Sequence, residues 1–280
     1  MSADHARHEG LGRILAFTIT AADVESAAAA YADWLGYSIE ETGRVSPQLA
    51  SHWGAPAMVG RRWARLRPPG DAEITVRLVE QAAVPGAPLL SHGWNAMEVL
   101  VVDPYELARS FEASPFRVVV PPRPLPFDPG LHAMQVIGPA GELLYFTSLP
   151  TDREVFDLTP ARHRVDRPFI AILGGPDMSA MLGFYAQELH TRVLPASLVN
   201  VRIVNDTFGL PADARIPLGI VKLPRDYLIE VDEYPVQSQP RARREGELPG
   251  GIAMVSFAYS GAPGLVVGAA GEWLELVSPI

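Results

Sequence analysis

Gly250-Gly251-Ile252-Ala253-Met254, followed by Gly268-Ala269-Ala270-Gly271-Glu272-Trp273-Leu274-Glu275-Leu276, decides how this chain is read. The same order stands upstream, where Gly93-Trp94-Asn95-Ala96-Met97 leads into Gly138-Pro139-Ala140-Gly141-Glu142-Leu143-Leu144-Tyr145-Phe146. A strand opened by glycine, a Gly-x-Ala-Gly-Glu turn and a closing apolar strand therefore occur twice. Repetition of this kind sets the architecture before any single residue does.

Outward from those stretches the pattern fills in. Ile14–Thr20 alternates and is β-rich, Asp23 is a good helix N-cap, and Ala27–Leu35 is helical up to Gly36. Ala57–Leu66 and Glu73–Val79 read as strands around the Pro68-Pro69-Gly70-Asp71 turn. A second unit runs from Trp94: a strand over 95–102, a helix opened by Asp103-Pro104, and strands over 117–120, 132–137 and 143–149. Pro121 to Pro129 is proline-dense and reads as a loop across a cavity mouth. Pro150 to Arg167 is charged and poor in pattern, a linker.

Then the first unit returns. Phe169–Leu173 is a strand, and Asp177 to Tyr185 repeats the spacing of Asp23 to Tyr31. Val201–Asn205, Leu218–Leu223 and Tyr227–Val231 read as the remaining strands. In the fourth unit the interval from Met254 to Gly271 is too short for strand, helix and strand, so the helix is expected to be missing. The expectation is an α+β chain of four βαβββ-type units, paired in chain order into open-barrel domains 1–150 and 168–280 with a linker at 151–167.

Composition excludes several classes. A formal charge of −9 over 280 residues provides no basic stripe for nucleic acid. No apolar run reaches the roughly 18 residues of a membrane span, and Met1 to Arg13 has no apolar signal segment. The absence of cysteine excludes thiolate metal sites and disulfides. The expected setting is the cytoplasm. Exposed strand edges in open barrels make a homodimer an expected partner.

The chain resembles the vicinal oxygen chelate superfamily, which includes glyoxalase I, extradiol dioxygenases and bleomycin- or fosfomycin-resistance proteins. Asp177–Tyr185, its counterpart Asp23–Tyr31, and the endings Gly138–Phe146 and Gly268–Leu276 carry the likeness, over about residues 13–149 and 167–279. The resemblance implies paired units forming an incomplete barrel around a cavity. It also implies a metal, where one is bound, on a His of a unit's first strand and carboxylates of its last. Carried over, the carboxylate positions fall on Glu230 and Glu275, and the His positions on Ile170 and Gly251. The N-terminal half has Ala16, Trp94, Arg77 and Tyr145 at the corresponding places. No metal-ligand set results, so the expected cofactor is none; a divalent ion would need a His from elsewhere, such as His132, His163 or His190.

Glu230 and Glu275 are accordingly expected as an acid/base pair sharing one cavity, where like charge and burial raise a carboxyl pKa. The competing reading pairs them with Lys222 or Arg225, or leaves them in solvent. His132, heading a strand beside the proline-rich segment, is a further catalytic candidate. Arg77, Trp94, Tyr145 and Trp273 are candidate substrate-binding residues for an anionic or aromatic ligand, against a reading as core and surface residues. The expected function is a metal-independent lyase or isomerase acting on a small oxygenated organic molecule, aromatic ones included. A non-catalytic binding or resistance protein, and a metal-dependent glyoxalase- or dioxygenase-like enzyme, are the alternatives.

Overall fold

The computed structural model describes residues 10–71, 73–83, 88–126, 128–151, 155 and 158–278. Parts of the expected linker, residues 152–154, 156 and 157, lie outside the described residues, as do residues 1–9 of the N-terminal stretch.

The first unit comprises β1 (Leu11–Ala21), α1 (Val24–Leu35), β2 (Ser38–Arg44), α2 (Pro47–His52), β3 (Arg62–Arg67) and β4 (Thr75–Glu80). The second has β5 (Gly93–Val101), α3 (Pro104–Ser110), β6 (Arg117–Leu125), β7 (Asp128–Ile137) and β8 (Leu143–Ser148). The third has β9 (Val165–Gly175), α4 (Met178–Gly183), β10 (Val193–Val199), α5 (Arg202–Phe208), β11 (Ile216–Lys222) and β12 (Leu228–Glu233). The fourth is β13 (Ile252–Tyr259), β14 (Gly264–Val267) and β15 (Trp273–Val277), with no helix between its first two strands. The same device opens each of the three unit helices. Asp23, Asp103 and Asp177 accept hydrogen bonds from first-turn amides, which satisfies donors that lack an intrahelical partner.

Two curled sheets result, and they do not follow the halves of the chain. The order β14-β15-β13-β1-β4-β3-β2 joins the first unit to the fourth, and β10-β11-β12-β9-β5-β8-β7-β6 joins the third to the second. The joints are antiparallel, β1 on β13 and β5 on β9, between long strands rich in buried residues. The expected pairing of consecutive units is thus replaced by first with fourth and second with third. The outer faces share one apolar core with α1, α3 and α4, including Phe17, Leu78, Phe257, Val99, Phe146 and Leu173. Each side chain of this size contributes about 1.5–3 kcal/mol on burial.

The repeated motif has a structural reason. Gly141 and Gly271 sit at φ 84° and 77°, the left-handed region that glycine enters without strain. Glu142 folds back to accept from Ala140 N (2.9 Å) and from the Tyr31 hydroxyl of α1 (2.6 Å). Glu272 accepts from Ala270 N (2.8 Å) and from the Tyr185 hydroxyl (3.0 Å). The first helix is thereby latched to the second unit's turn, and the third unit's helical segment to the fourth unit's turn, each latch bridging the two sheets.

Three local expectations differ from the fold. The prolines at 121, 122 and 124 lie within β6, an edge strand with register shifts between Val120 and Leu125, where a missing N–H disturbs no second neighbour. Residues 202–208 form α5 rather than a strand. Val204 and Phe208, four apart, turn to one apolar cluster, and Gly209 closes the helix at φ 64°. Between 57 and 66 the strand begins only at Arg62, after a 3-10 turn at Pro56–Met58. Among the described residues no helix is long and apolar enough to cross a membrane.

Candidate functional site

Each sheet has a concave face, and the two differ. In the seven-stranded sheet that face is plugged. Trp53 and Met58, with Val45, Ala50 and Ala55, pack against Val79, Met254 and Trp273. Glu275 of β15 sits within this packing. It accepts from Trp53 Nε1 (3.2 Å) and Ser256 Oγ (2.5 Å), lies 3.1 Å from His52 Nε2, and pairs with Arg77 at 3.6 Å. The Arg77 guanidinium stands over the Trp53 ring at 5.2 Å. Burial acts to raise the Glu275 carboxyl, but the Arg77 charge and the Ser256 and Trp53 hydrogen bonds outweigh it and hold the group below its ordinary range.

The eight-stranded sheet instead encloses a cavity of about 280 Å³. Its walls are mostly aliphatic, with Leu125, Leu149, Leu158, Ile170 and Leu228 among them; its polar lining includes Glu98, Thr147 and Glu230. Alternation along β12 turns Asp232 to the same face as Glu230, and β8 contributes Tyr145. All three carboxyls are pushed up. Burial raises Glu98 to about 7, opposed by the Thr147 hydroxyl. Burial, then the Asp232 and Glu98 charges, raise Glu230; burial and Glu98 raise Asp232 to about 7. Both Asp232 carboxyl oxygens, the Tyr145 and Tyr234 hydroxyls and Gln135 Oε1 are buried without a hydrogen-bond partner in the protein. Among the described residues no Lys, Arg or His lines the cavity.

The expected site is therefore divided. Glu230 lines the cavity and Tyr145 lies beside it, whereas Glu275, Arg77 and Trp273 belong to the other sheet. Glu230 and Glu275 do not share a cavity. The pairing of first unit with fourth separates them, and Arg77 serves Glu275 rather than a ligand anion. Trp94 faces the common core, its indole donating to the Trp273 carbonyl (2.8 Å) and its ring packed on Phe257. His132 lies on the helix side of β7, hydrogen-bonded to Tyr105 Oη (2.9 Å) of α3, away from the cavity. Glu98 and Asp232 were not foreseen. Their signals were present: Glu98 is the one charge in the fully buried β5, and Asp232 stands two residues after Glu230, on the same face of β12.

Solved structures share this layout. Glyoxalase I from Zea mays is similar over 95% of this chain and 92% of its own, at 13% identity and a TM-score of 0.62. A point variant of the same protein gives 95%, 93%, 14% and 0.63. A candidate dioxygenase from Bacillus subtilis subsp. subtilis str. 168 gives 96%, 86%, 10% and 0.59. The chain has the vicinal oxygen chelate fold. No protein-family model and no curated protein matches its sequence.

Within the vicinal oxygen chelate fold the four units keep one register. Arg77, Tyr145, Glu230 and Glu275 lie opposite Thr18, Glu98, Ile172 and Ser256 of their units' first strands. The first-strand positions differ from those expected. Gly251 precedes β13, and a β-bulge between Trp94 and Ala96 turns Trp94 outward. The inward residues of the four first strands include Ala16, Thr18, Ala96, Glu98, Ile170, Ile172, Met254 and Ser256, without an imidazole among them. No group of three or more His, Cys, Asp or Glu side chains among the described residues could hold a metal ion. This donor set does not fit the His-and-carboxylate centre associated with the fold.

Proposed function

We propose that the cavity of the eight-stranded sheet binds a small organic molecule with a mostly apolar body and an oxygen function, and that Glu230 and Glu98 move a proton on it. The reaction would be of lyase or isomerase type. The observation that supports this reading is two carboxyls on the wall of one cavity, Glu98 buried and raised to about 7 and Glu230 half-buried and raised well above its ordinary range. A carboxyl whose pKa lies near the working pH is populated in both protonation states and can give or take a proton without a large thermodynamic penalty. The aliphatic walls exclude water from the bound molecule and strengthen the field of the carboxyls. The fold likeness to glyoxalase I and a candidate dioxygenase is consistent with a small oxygenated ligand, although one fold hosts unrelated chemistries.

A screen of small carbonyl and hydroxy compounds by ligand-observed NMR in deuterated buffer tests this. The expected result is binding accompanied by deuterium uptake at a carbon next to the oxygen function, lost in Glu230→Gln while affinity is kept. Uptake that survives both Glu230→Gln and Glu98→Gln would overturn the assignment. Binding with no exchange or turnover of any hit would favour a second reading, a non-catalytic binding protein, for which the predominance of aliphatic wall over polar lining is the supporting observation.

A further inference from the structure

We infer that the molecule bound in this cavity carries a positively charged nitrogen, as a small organic amine does, seated against Glu230 and Glu98 of its wall, with Asp232 buried beyond Glu230 on the same face of β12. The inference rests on the reading of this cavity as the binding site and adds the charge of its ligand.

Compensation is the rule for the other buried carboxyls described above. Glu275 has Arg77, and Glu142 and Glu272 each have a tyrosine hydroxyl and a backbone amide. Asp166 pairs with Arg167 at 2.8 Å. The cavity cluster departs from that rule: three carboxyls from two strands, with no cation of the chain against any of them. Leaving such charges unpaired in a low-dielectric interior is costly, and a ligand cation would offset that cost.

Hydrogen-bonding capacity points the same way. Asp232 is fully buried with both oxygens unpartnered, and Gln135 Oε1 has no donor either. An ammonium group brings three donors and no acceptor, the complement of the Glu98 and Glu230 oxygens on the cavity wall. Tyr145, 6% exposed, is a second and independent indication. Its hydroxyl is unpartnered, and it stands opposite Glu98 in the sheet, next to the cavity wall. At about 280 Å³, with aliphatic walls, the cavity suits an apolar body of a few carbons behind that head group.

The groups around this point, element by element, are Glu98 from β5, Thr147 from β8 and Glu230 from β12 on the cavity wall, with Tyr145 from β8, Gln135 from β7, Asp232 from β12 and Tyr234 buried outside its lining. Arg241 faces Tyr234. It is engaged by Asn95 Oδ1 (2.7 Å) and by the carbonyls of Gly250 and Ile252. Because burial raises Glu98 and Asp232 to about 7, an amine would meet protonated acids there in mild acid and carboxylates in mild base. Its affinity should therefore rise with pH across neutrality, with protons released on binding.

Calorimetric titration of the full chain with n-hexylamine and benzylamine, against 1-hexanol and benzyl alcohol, tests the inference. At about pH 8.5 the amines should bind about tenfold or more tightly than the matched alcohols, and the advantage should vanish near pH 5. Glu230→Gln should remove the amine preference, and Glu98→Gln serves as the second variant should the first fail to fold. Alcohols binding as tightly as amines at pH 8.5, or an amine preference untouched by both variants, would overturn the inference while leaving the proposed site in place. Failure of both classes to bind at millimolar concentration would overturn the inference and, with an equally empty carbonyl and hydroxy screen, the site itself.

Discussion

Asp232→Asn should make the protein more stable in mild base. Asp232 is fully buried, and burial with the Glu98 charge raises its carboxyl from an ordinary 3.8 to about 7. A group whose folded pKa exceeds its unfolded value supports the fold below the unfolded value and withdraws that support as pH rises through the folded one. A shift of about three units corresponds to about 4 kcal/mol between the two limits. Asparagine matches the shape, carries no charge, and loses no protein hydrogen bond, because both carboxyl oxygens lack a partner. Urea unfolding of both proteins at about pH 4, 7 and 9 should show curves that nearly coincide in acid. The variant should gain progressively, approaching about 4 kcal/mol by pH 9. A difference that stays flat with pH, or wild type gaining on the variant above pH 7, would refute the reasoning. Either result would mean that the carboxylate is compensated within the fold.

Three other substitutions probe buried carboxyls away from the cavity. Glu275→Gln leaves the Arg77 guanidinium facing a neutral amide and should cost about 3 kcal/mol in chemical denaturation at pH 7, while ligand binding in the opposite sheet is unchanged. Since the Glu275 pKa is held down in the fold, wild type should lose this advantage as pH falls through the ordinary carboxyl range. Tyr31→Phe and Tyr185→Phe each remove the hydroxyl that donates to a buried glutamate, and each should cost about 1–3 kcal/mol. Burial raises Glu142 and Glu272 to about 7, with the tyrosine hydroxyls pulling down, so both losses should be larger at pH 9 than at pH 5 in thermal or urea melts.

What the sequence disclosed follows from where its constraints are local. The Gly-x-Ala-Gly-Glu turns and the Asp-to-Tyr spacing were visible because one short-range device, a turn glutamate and the helix tyrosine it receives, imposes both. The missing fourth helix was visible as a shortage of residues. The pairing of first unit with fourth was not, since β1, β5, β9 and β13 are all apolar strands whose choice of neighbour leaves no local mark. Glu230 was found by its place in a repeated strand. Glu98 was missed because one bulge beside Trp94 reverses the facing of that strand, and a strand's phase shifts wholly with a single residue.

The seating of β13 beside β1 also governs the order in which the molecule can assemble. Residues 11 and 259 are neighbours in the seven-stranded sheet, and Thr18 lies opposite Met254. Strands made early must therefore wait, with one edge of β1 open, until β13 and β15 have been synthesised. The joint of the eight-stranded sheet, β5 on β9, spans a far shorter stretch of chain and can close first. Long-range strand pairing delays the reward for ordering the chain, and an open apolar edge is exposed to the wrong partner meanwhile. Refolding should accordingly be biphasic, with the cavity-bearing sheet preceding the one that holds Glu275.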